Sequence, residues 1–300
     1  MLRQDTLPAA ATVQQRDSIA SMSALEGPVL IGPNTLRTRS GVTLFCRSWG
    51  EGQPVVFLHS WGFSSQMWTY QMAYLGERGM QCTAYDRRGH GRSDQPSSGY
   101  DLDTLADDLA DILEGFDLHD VVLVGHSMGG AEILRYAGRH GTSRIAKVVL
   151  LAPMTPFFLQ TPDNPCGVPA AMLAQVREQW AIDFPKWIED NKRPFFVPET
   201  SSQMMDWLTL DMQRMSVPIA IACNKSLVET DLRSDLSKVD RPTLVIHGDA
   251  DMSTPLDITG KPTADGIKGA ILKIYPGAPH GLFVTHMDQV NRDIEAFVIG

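Results

Sequence analysis

Cysteine is scarce in this 300-residue chain, and its four cysteines stand far apart. No CxxC pair occurs, and the eight histidines show no HxH or HExxH spacing, so the sequence predicts reduced thiols and no metal site. Basic runs are also missing. The chain has 26 Lys and Arg residues and 35 Asp and Glu residues, which gives a formal net charge of −9. This acidic balance argues against general nucleic-acid binding, which relies on basic patches.

Long hydrophobic runs are absent as well. No stretch approaches the roughly 18 apolar residues of a membrane span, and the first residues lack the apolar core of a secretory signal. We therefore expect a soluble, cytoplasmic protein with no membrane span. Residues 1–33 are rich in Ala, Ser, Gln and Thr without sustained periodicity, which predicts an N-terminal arm before a domain at 34–300.

Short apolar, β-branched segments alternate along the chain with stretches whose apolar residues repeat every three or four positions. The former are typical of strands buried on both faces, and the latter of amphipathic helices. This alternation predicts an α/β fold, a mostly parallel, doubly wound sheet with helices on both faces. It stops after Pro153, so residues from about 154 to 238 are expected to form a helical lid inserted into the one sheet. The predicted strands are 42–49, 54–59, 82–85, 121–124, 148–151, 243–246 and 271–275, and the predicted helices include 67–75, 105–116 and 133–137.

A G-x-S-x-G motif at residues 125–129 directly follows a predicted strand and leads into a predicted helix. A strand-to-helix turn this sharp needs neighbours without a Cβ atom, and it lifts the hydroxyl of Ser127 above the sheet edge. The next amide, of Met128, lies at a helix N-terminus, where partial positive charge suits a developing oxyanion. The motif therefore predicts Ser127 as a nucleophile and Met128 as an oxyanion donor.

His280 is the histidine best placed to act as a base for this serine. It follows the last predicted strand, and loops at the carboxyl ends of parallel strands converge on one crevice. An acid that orients the imidazole is expected after the preceding strand, where Asp249 and Asp251 both stand. Spacing alone does not separate these two aspartates.

Five landmarks occur in one order: His-Ser-Trp at 59–61, Tyr-Asp-Arg-Arg-Gly-His-Gly-Arg-Ser at 85–93, Gly-His-Ser-Met-Gly-Gly at 125–130, Val-Ile-His-Gly-Asp-Ala-Asp at 245–251 and Ala-Pro-His-Gly at 278–281. With them, residues from about 35 to 300 resemble the α/β-hydrolase superfamily, and within it the bacterial aryl esterase and cofactor-free haloperoxidase (perhydrolase) group. The resemblance implies Asp251 as the triad acid and the Trp61 amide as the second oxyanion donor. The arginines of the second landmark are expected to be structural and to pair with carboxylates.

One position departs from the family pattern. The family usually has His-Gly-Trp, and here Ser60 replaces the glycine. A side chain at this position would narrow the oxyanion loop or add a hydroxyl near the acyl site, so Ser60 is expected to contact the substrate.

The resemblance implies a serine hydrolase that cleaves aryl or short-chain esters, or lactones, through an acyl-enzyme. It implies no metal or organic cofactor, and a perhydrolase side activity in which hydrogen peroxide replaces water. The expected partner is a small-molecule substrate that binds under the lid, with Phe157 and Phe158 as lining candidates. The same triad would serve a C–C bond hydrolase or an acyltransferase, a non-catalytic ligand-binding homologue is a further alternative, and homo-oligomer formation stays open.

Overall fold

The computed structural model of this protein describes residues 27–300. Residues 1–26 of the predicted arm lie outside this range. The last residues of the arm, Val29–Gly32, form a strand at one edge of the sheet. Within the described range the sheet has nine strands: β1 (Val29–Gly32), β2 (Thr35–Arg37), β3 (Thr43–Trp49), β4 (Gln53–Leu58), β5 (Met80–Tyr85), β6 (Val121–His126), β7 (Ile145–Leu151), β8 (Thr243–Gly248) and β9 (Ile271–Tyr275).

The order of the strands across the sheet is β1-β2-β3-β5-β4-β6-β7-β8-β9. The strands from β4 to β9 pair in parallel, whereas β1, β2 and β3 are antiparallel to their neighbours. The predicted mostly parallel α/β fold is confirmed, and each predicted strand is present. The two strands that the sequence did not predict, β1 and β2, are four and three residues long, too short for a periodic pattern.

Helices connect the parallel strands and pack on both faces of the sheet. No helix within residues 27–300 combines the length and the apolar character needed to cross a membrane. The helices are α1 (Thr69–Gly76), α2 (Leu102–Gly115), α3 (Met128–His140), α4 (Ala170–Asn191), α5 (Ser202–Met212), α6 (Val217–Glu229), α7 (Arg233–Leu236), α8 (Gly260–Gly266), α9 (Leu282–Thr285) and α10 (Met287–Ile299).

Strand β6 illustrates why the central strands read as continuous apolar runs. Val121 and Leu123 point into the core that contains α2 and α3, while Val122 and Val124 point into the core that contains α1 and α10. Successive side chains of a strand alternate between the two faces of its sheet, so a strand covered on both faces needs an apolar residue at each position.

The chain between β7 and β8 carries helices α4 to α7, and we call residues 154–238 the insertion. Helix α4 is kinked at Asp183, which has non-helical φ and ψ angles of −155° and 84°, two residues before Pro185. A proline inside a helix removes a backbone hydrogen bond and disfavours helical geometry just before it, which accounts for the kink. A short 3-10 helix, Arg193–Phe195, joins α4 to α5.

The four cysteines are unpaired, as the sequence predicts. Burial raises the pKa of the Cys46, Cys82 and Cys223 thiols to about 12. At neutral pH these thiols stay protonated and pack as small apolar groups.

Candidate active site

Ser127 occupies the sharp turn between β6 and α3. Its φ and ψ angles are 53° and −112°, a conformation that non-glycine residues rarely adopt. The turn is held by three backbone hydrogen bonds. Ser127 N–H donates to the Leu151 carbonyl at 3.0 Å, and the Ser127 carbonyl accepts from Gly130 N–H at 3.0 Å and from Met154 N–H at 3.3 Å. Strain at a residue with so many fixed neighbours is a feature of functional sites.

The glycines that flank Ser127 are required by close approach. A Cβ atom on Gly125 would lie 2.6 Å from the backbone of Gly129, and one on Gly129 would lie 2.4 Å from the Leu58 carbonyl oxygen. Neither glycine has a left-handed backbone. The absent side chains therefore let the start of α3 lie directly against the end of β4.

His280 lies on the loop after β9 and contacts Asp251, on the loop after β8. The imidazole Nδ1 is 2.7 Å from the Asp251 Oδ2 atom. Ser127, Asp251 and His280 are each only 4% exposed. Asp249, the alternative that the sequence left open, accepts a hydrogen bond from Gly277 N–H at 2.6 Å, so it stabilises the neighbouring turn.

The Asp251 carboxylate accepts hydrogen bonds from several neighbouring groups. Its Oδ1 atom accepts the backbone N–H groups of Ser253 and Thr254, both at 2.8 Å, and its Oδ2 atom accepts the Thr254 hydroxyl at 2.8 Å. Burial opposes the charge of Asp251, but the charge of His280 and the hydrogen bonds from His247, His280 and Thr254 outweigh burial and hold its pKa well below the ordinary value. Asp251 is therefore ionised at neutral pH, and His280 Nδ1 donates to it.

The backbone around His280 is held from two sides. His126 Nε2–H donates to the His280 carbonyl at 2.9 Å, and Gly281 N–H donates to the carbonyl of Phe195 in the insertion at 3.0 Å. Burial and the neighbouring His280 lower the pKa of His126 well below its ordinary value, so its ring is a neutral donor. His280 forms no hydrogen bond to Ser127 among the described residues, and such bonds are often long before substrate is bound.

The two amides predicted to face an oxyanion belong to Trp61, after β4, and Met128, the first residue of α3. Within residues 27–300, neither backbone N–H donates a hydrogen bond to a protein group. The loop turns at Gly62, whose φ of 80° favours glycine, whereas Ser60 lies outside the left-handed region. Serine in place of the family's glycine at position 60 is therefore compatible with the backbone of this loop.

A buried ion pair lies beneath this loop. The Arg87 guanidinium donates to the His59 carbonyl at 2.7 Å and pairs with Glu132 of α3, and both side chains are almost fully buried. The neighbouring Arg88 pairs with Asp108 at 2.6 Å. The pairing of both arginines with carboxylates agrees with the structural role predicted from the sequence.

A cavity of about 450 Å³ opens above Ser127 and His280. Ser60, Trp61 and Phe158 line it, but Phe157 does not. The Phe157 ring lies instead 5.2 Å from the Arg233 guanidinium carbon. Successive side chains of an extended segment point in opposite directions, so this segment directs one of the two phenylalanines inward and the other outward.

Comparison with known proteins gives the family. Residues 53–220 match the family described as alpha/beta hydrolase fold. This chain belongs to the α/β-hydrolase family. It is 38% identical to a non-heme chloroperoxidase from Kitasatospora aureofaciens over 87% of this chain and 98% of that protein. It is 33% identical to a bifunctional esterase/perhydrolase from Acinetobacter calcoaceticus, over 87% of this chain and 98% of that protein. A bromoperoxidase structure from Bacillus anthracis matches with a TM-score of 0.84 at 34% identity, covering 86% of this chain and 96% of that one.

Sequence reasoning missed how this α/β-hydrolase builds the wall of its cavity and holds its acid. Trp180 and Trp187 of α4 line the cavity, and Trp180 stacks on Trp61 with ring centroids 4.6 Å apart. Thr254, which binds Asp251 through both its amide and its hydroxyl, had a local signal in its position three residues after an aspartate. The α4 residues had none, because a helical apolar pattern does not show which neighbour it faces. Within residues 27–300, no three His, Cys, Asp or Glu side chains are grouped as metal ligands would be.

Proposed function

We propose that this α/β-hydrolase cleaves carboxylic esters through a Ser127 acyl-enzyme, with His280 as the general base and Asp251 as its orienting acid. The observation that carries the proposal is the 2.7 Å contact between Asp251 and His280 at the wall of the cavity that Ser127 also lines. The esterase/perhydrolase relative from Acinetobacter calcoaceticus supports the same reaction class.

The tautomer of His280 follows from the donors around Asp251. Two backbone N–H groups and a hydroxyl donate to the carboxylate and keep Asp251 ionised, so it also accepts a hydrogen bond from His280 Nδ1–H. Nε2 is then unprotonated and can take the Ser127 proton as the serine attacks the acyl carbon. The imidazolium that forms is stabilised by Asp251 and returns the proton to the leaving alcohol.

The tetrahedral intermediate places negative charge on the former carbonyl oxygen. In the proposal the Trp61 and Met128 amides bind this oxygen, and each such donor contributes roughly 3 kcal/mol of transition-state stabilisation. Met128 also starts α3, so the partial positive charge of a helix N-terminus acts in the same direction. Ser127 then carries the acyl group, and water activated by His280 releases it.

Hydrogen peroxide is proposed as an alternative to water at the last step. Its attack on the acyl carbon forms a peracid and frees the Ser127 hydroxyl, so the reaction balances without an added oxidant. Trp61, Trp180 and Phe158 give the cavity aromatic walls, which favours aryl and short acyl groups. We propose that the insertion acts as the lid of this site, and that Ser60 contacts the bound ester.

Replacing Ser127 by alanine tests the proposal. Ser127→Ala is expected to abolish turnover of p-nitrophenyl butyrate, peracid formation with added peroxide, and labelling by a fluorophosphonate. Ser202→Ala, at an exposed position of α5, is the matched control and is expected to keep all three. Wild-type-like turnover in a folded Ser127→Ala protein would refute the mechanism.

A further inference from the structure

Residues 61–64, which carry one of the two proposed oxyanion amides, are in contact with the insertion. The Trp61 indole N–H donates to the Ala220 carbonyl of α6 at 2.9 Å, and its ring stacks on Trp180 of α4. Gly62 packs on α5 so closely that an added Cβ would lie 3.2 Å from the Met212 methyl group. Two of the four loop residues therefore lie against three different helices of the insertion.

The other two loop residues contact the insertion as well. The Phe63 ring lies 5.7 Å from the Phe195 ring, centroid to centroid. Ser64 is bound by Asp211 of α5, which accepts its N–H at 2.8 Å and its hydroxyl at 2.9 Å. Asp211 is only 7% exposed and forms no ion pair among the described residues. The two hydrogen bonds from Ser64 therefore offset much of the free-energy cost of burying this carboxylate.

The core fixes the loop on either side of these residues. Arg87 holds the His59 carbonyl at 2.7 Å, and Asp86 accepts the Ser65 N–H at 2.7 Å. The core also holds the Ser60 side of the peptide group that carries the Trp61 amide, because the Ser60 carbonyl accepts a hydrogen bond from His59 Nδ1 at 2.8 Å. The Trp61 side chain, Gly62 and Ser64 are held by the insertion. Without the insertion, the Trp61 amide would be fixed on its Ser60 side only.

We propose that the insertion positions the oxyanion amide of Trp61. Asp211 acts as a positioning residue through Ser64, and the Trp61 indole N–H contributes through its hydrogen bond to the Ala220 carbonyl. The inference rests on the proposed function, since it takes the Trp61 amide as a donor to the oxyanion. It goes further by giving the insertion a part in transition-state stabilisation in addition to covering the cavity. A loss of position then lowers kcat, because the oxyanion forms only after substrate is bound.

Asp211→Ala is the main test. We expect kcat for p-nitrophenyl acetate to fall about 10- to 100-fold, up to the loss that a displacement of about 1 Å can cause and less than the roughly 100- to 1,000-fold loss of a missing oxyanion donor, with KM changed less than about threefold. Phenylboronic acid, which forms a tetrahedral adduct with an active-site serine, should bind more weakly by a similar factor. A merely structural role would not couple the loss of kcat to the loss of boronate affinity.

Two variants of helix α5 act as controls. Asp211→Asn keeps an acceptor for the Ser64 N–H and a donor for its hydroxyl, so it should recover most of the activity. Asp206→Ala removes a carboxylate from the same helix, but Asp206 is largely exposed and lies 3.8 Å from Lys192, a surface pair of little energetic weight. We expect wild-type kcat and boronate affinity for Asp206→Ala.

A second substitution keeps the inference testable if Asp211→Ala does not fold. Trp61→Phe removes the indole N–H but keeps an aromatic ring against Trp180, and kcat and boronate affinity should again fall together. Wild-type kcat and boronate affinity in either folded variant, or a loss confined to KM, would overturn the inference. If Ser127→Ala instead keeps activity and the wild-type protein does not bind boronate, the proposed function itself fails.

Discussion

Replacing Asp251 by asparagine would reverse one hydrogen bond of the proposed triad while leaving the shape of the site intact. Two backbone N–H groups, of Ser253 and Thr254, donate to the Oδ1 position at 2.8 Å, so the amide oxygen of the asparagine must occupy that position. Its NH2 group then takes the Oδ2 position, 2.7 Å from His280 Nδ1 and 2.8 Å from the Thr254 hydroxyl. Both neighbours can accept a hydrogen bond, and His247 Nε2, 3.3 Å from this position, keeps its hydrogen bond to the Thr254 carbonyl at 2.7 Å.

The consequence falls on the tautomer of His280. An NH2 group facing Nδ1 makes that nitrogen an acceptor and moves the proton to Nε2, which can no longer take the Ser127 proton. The same replacement in a serine protease lowers kcat by about 10⁴-fold, and we expect a similar loss here. At 1.36 kcal/mol for each tenfold change, this loss corresponds to about 5 kcal/mol of transition-state stabilisation.

Steady-state hydrolysis of p-nitrophenyl acetate measures this loss, with circular dichroism to verify folding. Asp249→Asn is the matched control, because Asp249 accepts the Gly277 N–H through an oxygen that asparagine retains. We expect it to keep at least about a third of the activity. A folded Asp251→Asn enzyme with more than about a hundredth of wild-type kcat, or an equal loss in Asp249→Asn, would refute this assignment of the acid.

Three further predictions concern stability and the support of the site. Because the pKa of Asp251 is lowered by folding, its contribution to stability is present above pH 4 and declines as the pH falls. Between pH 7 and pH 3, urea unfolding should therefore show the wild type losing about 1 kcal/mol more than Asp251→Asn. Gly129→Ala places a Cβ atom 2.4 Å from the Leu58 carbonyl oxygen and should lower the melting temperature and abolish esterase activity. Arg87→Met leaves the charge of Glu132 unpaired at 0% exposure and should lower the free energy of unfolding in urea by about 3–5 kcal/mol. The double variant Arg87→Met with Glu132→Leu should regain stability. It should not regain kcat, because the hydrogen bond from Arg87 to the His59 carbonyl is not replaced.

Each of these predictions has a clear contrary result. An Asp251→Asn protein with the same pH dependence of unfolding as the wild type would show that this carboxylate is not held ionised by folding. An active and stable Gly129→Ala enzyme would mean that α3 does not need its close approach to β4. Full kcat in the double variant at Arg87 and Glu132 would show that the guanidinium does not support the loop.

The predictions made from sequence succeeded where the signal is local. Strands β4, β6, β7 and β8 are recognisable in the sequence as short apolar runs, because a strand buried on both faces has few polar positions, whereas β3 alternates between half-buried and buried residues. The turn at Ser127 is readable for a similar reason, since the backbone of Gly129 meets Leu58 too closely for any side chain. The short strands β1 and β2 were missed because three or four residues at a sheet edge carry no such constraint.

The same limit explains what was missed around the site. The sequence left Asp249 and Asp251 equivalent by spacing, and the resemblance to a known family chose between them. In the structure, the Asp251 side chain turns toward the His280 imidazole, while that of Asp249 turns toward the Gly277 amide. A two-residue difference along a loop becomes a difference in direction only once the loop is folded.

By itself, then, the sequence determined the sheet, the order of the chemical groups along it and the turn that presents Ser127, because these depend on burial and backbone sterics over a few residues. The tertiary structure decided what contacts what: Phe158 faces the cavity and Phe157 does not, and Asp211 reaches Ser64 across 147 positions of the chain. A side chain's direction and its distant partner depend on how separate helices pack. No periodicity within one segment encodes that packing.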